Sequence, residues 1–122
     1  MNPIGWIEIP VADMSRAVNF YNAIFGWDLK VMDFGQQSMA WFPADPEAYG
    51  SGGSLVQHES YVPSEHGAVV YFECEDIAEV VSRVVDAGGE VIQAKKQISP
   101  EHGFMGLAKD TEGNRIAFHS QK

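Results

Sequence analysis

The sequence has little cysteine, little positive charge and no long apolar run, and each shortage excludes a class of protein. One cysteine, Cys74, in 122 residues cannot close an internal disulfide. A stapled secreted scaffold is therefore excluded, and the chain must be held by its own core. Eight Lys and Arg stand against seventeen Asp and Glu, a formal charge of −9. Phosphate backbones and anionic lipid surfaces are gripped by clustered basic side chains. The longest basic cluster here is Lys95-Lys96, so neither nucleic acid nor membrane is expected as a partner. No stretch approaches the ~20 apolar residues that span a bilayer. Met1-Asn2-Pro3 runs into a strand-like segment without a basic or apolar leader, and the expected compartment is the reducing cytoplasm.

What is present points to one soluble domain. The chain is 45% hydrophobic and 11% aromatic, enough to bury roughly two-thirds of its surface at this length. The sequence also repeats itself. Shifted by 63 residues, Trp6-Ile7-Glu8-Ile9-Pro10-Val11-Ala12-Asp13-Met14 falls on Val69-Val70-Tyr71-Phe72-Glu73-Cys74-Glu75-Asp76-Ile77, Ala17-Val18 on Val80-Val81, and Gly26 on Gly89. Each copy reads as strand, capping Asp, amphipathic helix, Gly, then three strands.

Asp13 caps a helix whose apolar stripe is Met14, Ala17, Val18, Tyr21, Ile24 and Phe25, ended by Gly26. Asp76, with Glu79 three residues on, caps a second helix with the stripe Ile77, Val80, Val81, Val84 and Val85, ended by Gly88-Gly89. Strands are expected at about 27–32, 37–42 and 53–57 in the first copy, and at about 90–96, 104–109 and 114–119 in the second. Asp110 to Asn114 is a tight turn. Its counterpart, Pro43 to Gly52, is longer and rich in Pro, Gly and Ser, and His58 to His66 links the copies. The expected architecture is α+β, βαβββ twice, with repeats at about 4–57 and 67–120 inside a single domain of residues 1–122.

The segment Ile9-Pro10-Val11-Ala12-Asp13-Met14-Ser15-Arg16-Ala17-Val18-Asn19-Phe20-Tyr21, followed by Phe25-Gly26-Trp27, resembles the opening of the vicinal oxygen chelate superfamily. Lys109-Asp110-Thr111-Glu112-Gly113-Asn114-Arg115-Ile116 is similar to that superfamily's last turn and strand. The group includes glyoxalase I, extradiol dioxygenases and bleomycin resistance proteins, and the likeness is greatest to its uncharacterised glyoxalase-like members. The resemblance implies two curved half-sheets with helices outside and a cup within. It also implies a two-fold homodimer.

Strand alternation then sorts the side chains. Ile7, Ile9, Val11, Val70, Phe72, Cys74, Ile116 and Phe118 should face the helices. Trp6, Glu8, Val69, Tyr71, Glu73, Arg115, Ala117 and His119 should face the cup. By the resemblance, metal-dependent members take ligands at the positions of Trp6, Val69, Ala117 and, on the fourth strand, near Val56. None of these four side chains ligates a divalent ion. No metal or other cofactor is therefore expected, unless Glu8 and His119, with Glu73 or His58, form a relocated site. The plainer expectation is that Glu8 pairs with Arg115 or His119. Cys74, turned to a helix, should be an inert thiol.

Two functions follow. The first is metal-independent binding of a small molecule, neutral or cationic given the negative chain, against Trp6, Trp41, Val69, Glu73, Phe104, Arg115 and Ala117. The second is a lyase or isomerase of glyoxalase-like type acting on a small carbonyl compound. There Glu8, buried beside Trp6 with its pKa raised, would be the base, and His119 or Tyr71 the acid.

Overall fold

The local signals build the elements in the expected order. The computed structural model describes residues 1–122. It gives β1 (Trp6–Pro10), α1 (Met14–Phe25), β2 (Val31–Asp33), β3 (Ser38–Trp41), β4 (Gly52–Gln57), β5 (Val70–Glu73), α2 (Ile77–Val84), β6 (Glu90–Ser99), β7 (Gly103–Lys109) and β8 (Arg115–Ser120). Two four-stranded mixed sheets result, ordered β1-β4-β3-β2 and β5-β8-β7-β6. In each the first strand lies parallel to the last and the other pairs are antiparallel. β4 and β8 start and end on the same 63-residue shift found in the sequence. No helix is long and apolar enough to cross a membrane.

Asp13 takes an extended conformation and accepts the Arg16 N–H at 3.1 Å, which opens α1. Gly26, at φ 71°, closes it by donating to Asn22 O. The following strand is expected from residue 27 and begins at Val31. The chain first wraps the helix end, with Trp27 stacked on Phe25 at 4.4 Å and the Leu29 N–H bonded to Asn22 Oδ1. In α2 the Asp76 carboxylate accepts from the Ala78 N–H and from Lys95 Nζ, both at 2.9 Å. The stripe expected to reach Val85 stops short, because Val85 is 65% exposed. The last helical turn is closed by the Ala87 N–H on the Arg83 carbonyl, and the Gly88 and Gly89 N–H groups take the Val85 and Val84 carbonyls where Gly88 turns left-handed at φ 103°.

The core is one cluster of eighteen buried residues drawn from both repeats. α1 supplies Met14, Ala17, Val18, Phe20, Tyr21 and Ile24. Tyr21 lies 5.9 Å from Phe72, and Phe25 lies 5.0 Å from Phe72 and 5.9 Å from Phe118. Aromatic contacts of the first helix with the second sheet therefore carry the union of the halves.

The 110–114 turn adds a polar lock between the repeats. Buried Asp110 accepts the Tyr21 hydroxyl at 2.7 Å, and Asn114 Nδ2 donates to Pro10 O at 2.7 Å. Glu112 accepts the Ala12 and Asp13 N–H groups and Arg16 Nε at the start of α1. That places a carboxylate where the helix dipole and orphan donors favour it.

Candidate functional site

The pairing register separates two faces. Facing the helices are Ile7, Ile9, Ala40 and Leu55 on one sheet, and Val70, Phe72, Ala108, Ile116 and Phe118 on the other. The open face carries Trp6 and Glu8 beside Gly52 and Ser54, with Trp41 next to Ser54 and Met39 next to Val56. On the second sheet Tyr71 and Glu73 lie beside Ala117 and His119, flanked by Leu107 and Met105. Met39, Val56 and Ala117 are buried, yet stand outside the main core cluster. Met39 and Val56, paired across β3 and β4, and Ala117, between Tyr71 and Leu107, give each sheet an apolar floor on its open face.

Three large aromatics rise from that floor. Trp6 and Trp41 meet edge-on with ring centroids 5.5 Å apart, 44% and 52% exposed, and Tyr71 is 54% exposed. Val69, half-buried, precedes β5 at the position facing the same way. Phe104 is not part of this surface. It pairs with Ser120 at the start of β7, where alternation turns it to the helix side, packed against the core with Lys95 Nζ 4.6 Å over its ring.

The polar residues distribute themselves differently from the expected Glu8 pairing. Glu8 is exposed, so the burial invoked for the base role is missing. Its carboxylate accepts the Tyr61 hydroxyl at 3.0 Å, and that bond and the carboxylate's charge raise the Tyr61 pKa. His119 instead donates from Nδ1 to Glu73 at 2.7 Å and from Nε2 to the His102 carbonyl at 2.6 Å. A neutral imidazole has one N–H, so this arrangement favours the imidazolium. The His102 carbonyl first and then Glu73 raise the His119 pKa. His119 can take up or release a proton as a catalyst only by giving up one of these bonds. Arg115 forms no ion pair, and its Nε is buried without a partner.

Periodicity did not single out two further residues. Tyr61 sits in the linker, where no repeat pattern marks it. Ser54, fully buried with its Oγ unpartnered, lies at the 63-residue shift from Ala117, and that shift is the signal that could have found it. Cys74 is half-buried and donates to Phe72 O, and burial, then Glu73, push its thiol up to about 11. It stays protonated near neutral pH.

The positions at which the resemblance implies metal ligands hold Trp6, Val69, Ala117 and, on β4, Ser54 and Val56 on the same face. Nowhere does one chain gather three or more His, Cys, Asp or Glu side chains into a group that could hold a metal ion. The residues present do not fit a divalent centre of the usual kind, which needs about three protein ligands.

Comparison with known proteins bears on the fold and the family. A glyoxylase-like domain-containing protein of Didymella fabae is 29% identical over 93% of this chain and 90% of its own length. The anthracycline biosynthesis protein DnrV of Streptomyces peucetius is 28% identical over 76% of the chain, which spans 38% of that protein. Among solved structures, a glyoxylase/bleomycin resistance protein/dioxygenase domain from Frankia sp. superposes with a TM-score of 0.73 at 14% identity, over 100% of this chain and 99% of that one. Residues 3–118 match the family described as the Glyoxalase/Bleomycin resistance protein/Dioxygenase superfamily, and the chain belongs to it.

Proposed function

We propose that the protein binds a small aromatic molecule, neutral or cationic, on the open face of its sheets without a metal ion, as a homodimer. The observation that carries this reading is Trp6. It occupies the first-strand ligand position of metal-dependent relatives and stands edge-on to Trp41, with both rings about half exposed. Half-exposed rings over an apolar floor offer stacking area to a flat ligand. The −9 charge favours approach of a cation over an anion. A relative named for anthracycline biosynthesis makes fused-ring aromatics the first class to try. A second copy of the chain would cover the exposed aromatic surface that one copy leaves open.

The test is a titration followed by tryptophan quenching and by thermal shift, using anthracyclines and cationic aromatic amines, with and without EDTA. The expected result is saturable binding indifferent to EDTA and weakened about tenfold or more by Trp41→Ala. Binding abolished by EDTA and restored by zinc or nickel would overturn the metal-independent reading, and silence across the panel would overturn the ligand class. Light scattering on the eluted protein should give twice the monomer mass.

A further inference from the structure

The two repeats join along a seam whose ends are not alike. β1 and β5 are edge strands of their respective sheets. A pocket lies at either end of the seam, each lined by residues of both strands. The internal repeat maps one end onto the other: Glu8, Val70, Asn114 and Arg115 correspond by the 63-residue shift to Tyr71, Ile7, Ser51 and Gly52.

At the first end the repeats are tied by hydrogen bonds. Asn114 donates to Pro10 O and accepts the Ser64 N–H, while Glu112 holds the start of α1. At the second end Ser51 and Gly52 stand in place of Asn114 and Arg115, with no side chain long enough to reach across. Tyr49 holds the sequence place of Glu112 and is 94% exposed instead of docked. The backbone passes close to its neighbours there: a Cβ on Gly52 would press on the Trp6 ring at 3.2 Å and touch Ala44 Cβ at 3.5 Å. Where one end has a polar lock, the other has a pocket of about 370 Å³ whose apolar walls are Ile7, Trp27, Phe42, Tyr49, Tyr71 and Phe72, with Ser51 and Glu73 also lining it. The rings of Trp27, Phe42 and Phe72 lie 5.5 to 6.2 Å apart, a spacing at which ring edges meet ring faces. The ionisable group at the mouth, Glu73, is engaged by His119.

We propose that this seam pocket is a binding site for a neutral aromatic molecule of two or three rings, with the Pro43–Ser51 loop as its outer wall. Its volume falls in the range of small-molecule sites. Its aromatic walls match a flat apolar ligand, and no free charge inside it would reward an ionic one. The site borders the open face at Gly52, Tyr71 and Glu73 but does not include Trp6 or Trp41, and it does not rest on the reading given above.

The probe is N-phenyl-1-naphthylamine, which is uncharged and brightens in apolar surroundings. Wild-type protein should give a saturable rise. Ser51→Phe, at an exposed loop position that fills the mouth, should weaken binding about tenfold or more with an unchanged Tm. Tyr49→Ala, which removes an outer wall at a nearly fully exposed residue, should weaken it severalfold. Trp41→Ala, on the open face, should leave it within about twofold. Absence of a saturable rise, or indifference to Ser51→Phe, would overturn the proposal. Loss in Trp41→Ala would place the probe on the open face instead. Tighter binding in Tyr49→Ala would show that the loop's own tyrosine is the natural occupant, and would equally overturn it.

Discussion

The hydroxyl of Ser54 is fully buried in β4, with no hydrogen-bond partner in the chain. An unsatisfied buried hydroxyl costs about 1–3 kcal/mol, and replacing CH2OH by CH3 leaves a very small void. Ser54→Ala should therefore raise stability by about 1 kcal/mol, read as a higher urea midpoint with an unchanged slope. A loss of similar size would mean that the hydroxyl is satisfied in solution by a trapped water. At this scale legibility depended on what constrains each side chain. Strand alternation admits two faces only, and the pairing register puts Trp6 and Glu8 on one face of the first sheet and Tyr71, Ala117 and His119 on one face of the second. Phe104, an aromatic expected on the ligand surface, is turned to the helices by alternation from its partner Ser120. The bonds of Glu8 to Tyr61 and of His119 to the His102 carbonyl join residues far apart in sequence with no shared period, so no local pattern announces them.

At the scale of elements, Phe20 shows what a single-stripe reading of a helix omits. It lies off the apolar stripe of α1 and is nevertheless fully buried, because the second repeat covers that flank. Gly89, at the start of the chain's return to β6, presses on the Phe20 ring. A Cβ there would stand 2.6 Å from Phe20 Cε1 and 2.6 Å from Lys109 O. The carbonyl is backbone and the ring is locked in the core, so neither yields easily. Gly89→Ala should cost about 2–3 kcal/mol by overpacking. Gly5→Ala, with nothing within 4 Å of the added carbon, should stay within about 0.5 kcal/mol. Equal urea midpoints for the two variants would refute this account of how the helix and the second sheet are fitted together. The element boundaries missed in sequence have related causes. Val85 continues the apolar pattern of α2 into an exposed last turn, and Trp27 and Leu29 are held on α1 by Phe25 and Asn22.

For the molecule as a whole, the union of the repeats has an apolar part that pH does not touch and a polar part that it does. Glu112 belongs to the last turn of the second repeat, while Ala12, Asp13 and Arg16, its donors, belong to the first. Burial pushes the Glu112 carboxyl up. The hydrogen bonds from Arg16, the Asp13 N–H, Thr111 and the Ala12 N–H together outweigh that and hold it below its ordinary 4.5. A carboxyl lowered on folding stabilises the native state above its unfolded-state pKa, and the contribution is lost as the pH falls through the folded value. Wild-type stability should therefore be level above about pH 5 with respect to this group and decline below 4.5 as the lock protonates. Glu112→Gln should lose about 2 kcal/mol at pH 7, allowing for the exposed Arg16 end of the contact. It should also lose that part of the acid dependence, so that the two proteins converge as the pH drops. Urea midpoints from pH 7 to pH 3 test both parts together. Parallel curves for wild type and variant would mean that the carboxylate contributes no proton-linked stability, leaving the aromatic contacts of Tyr21 and Phe25 with Phe72 and the hydrogen bonds of Asp110 and Asn114 to hold the repeats together.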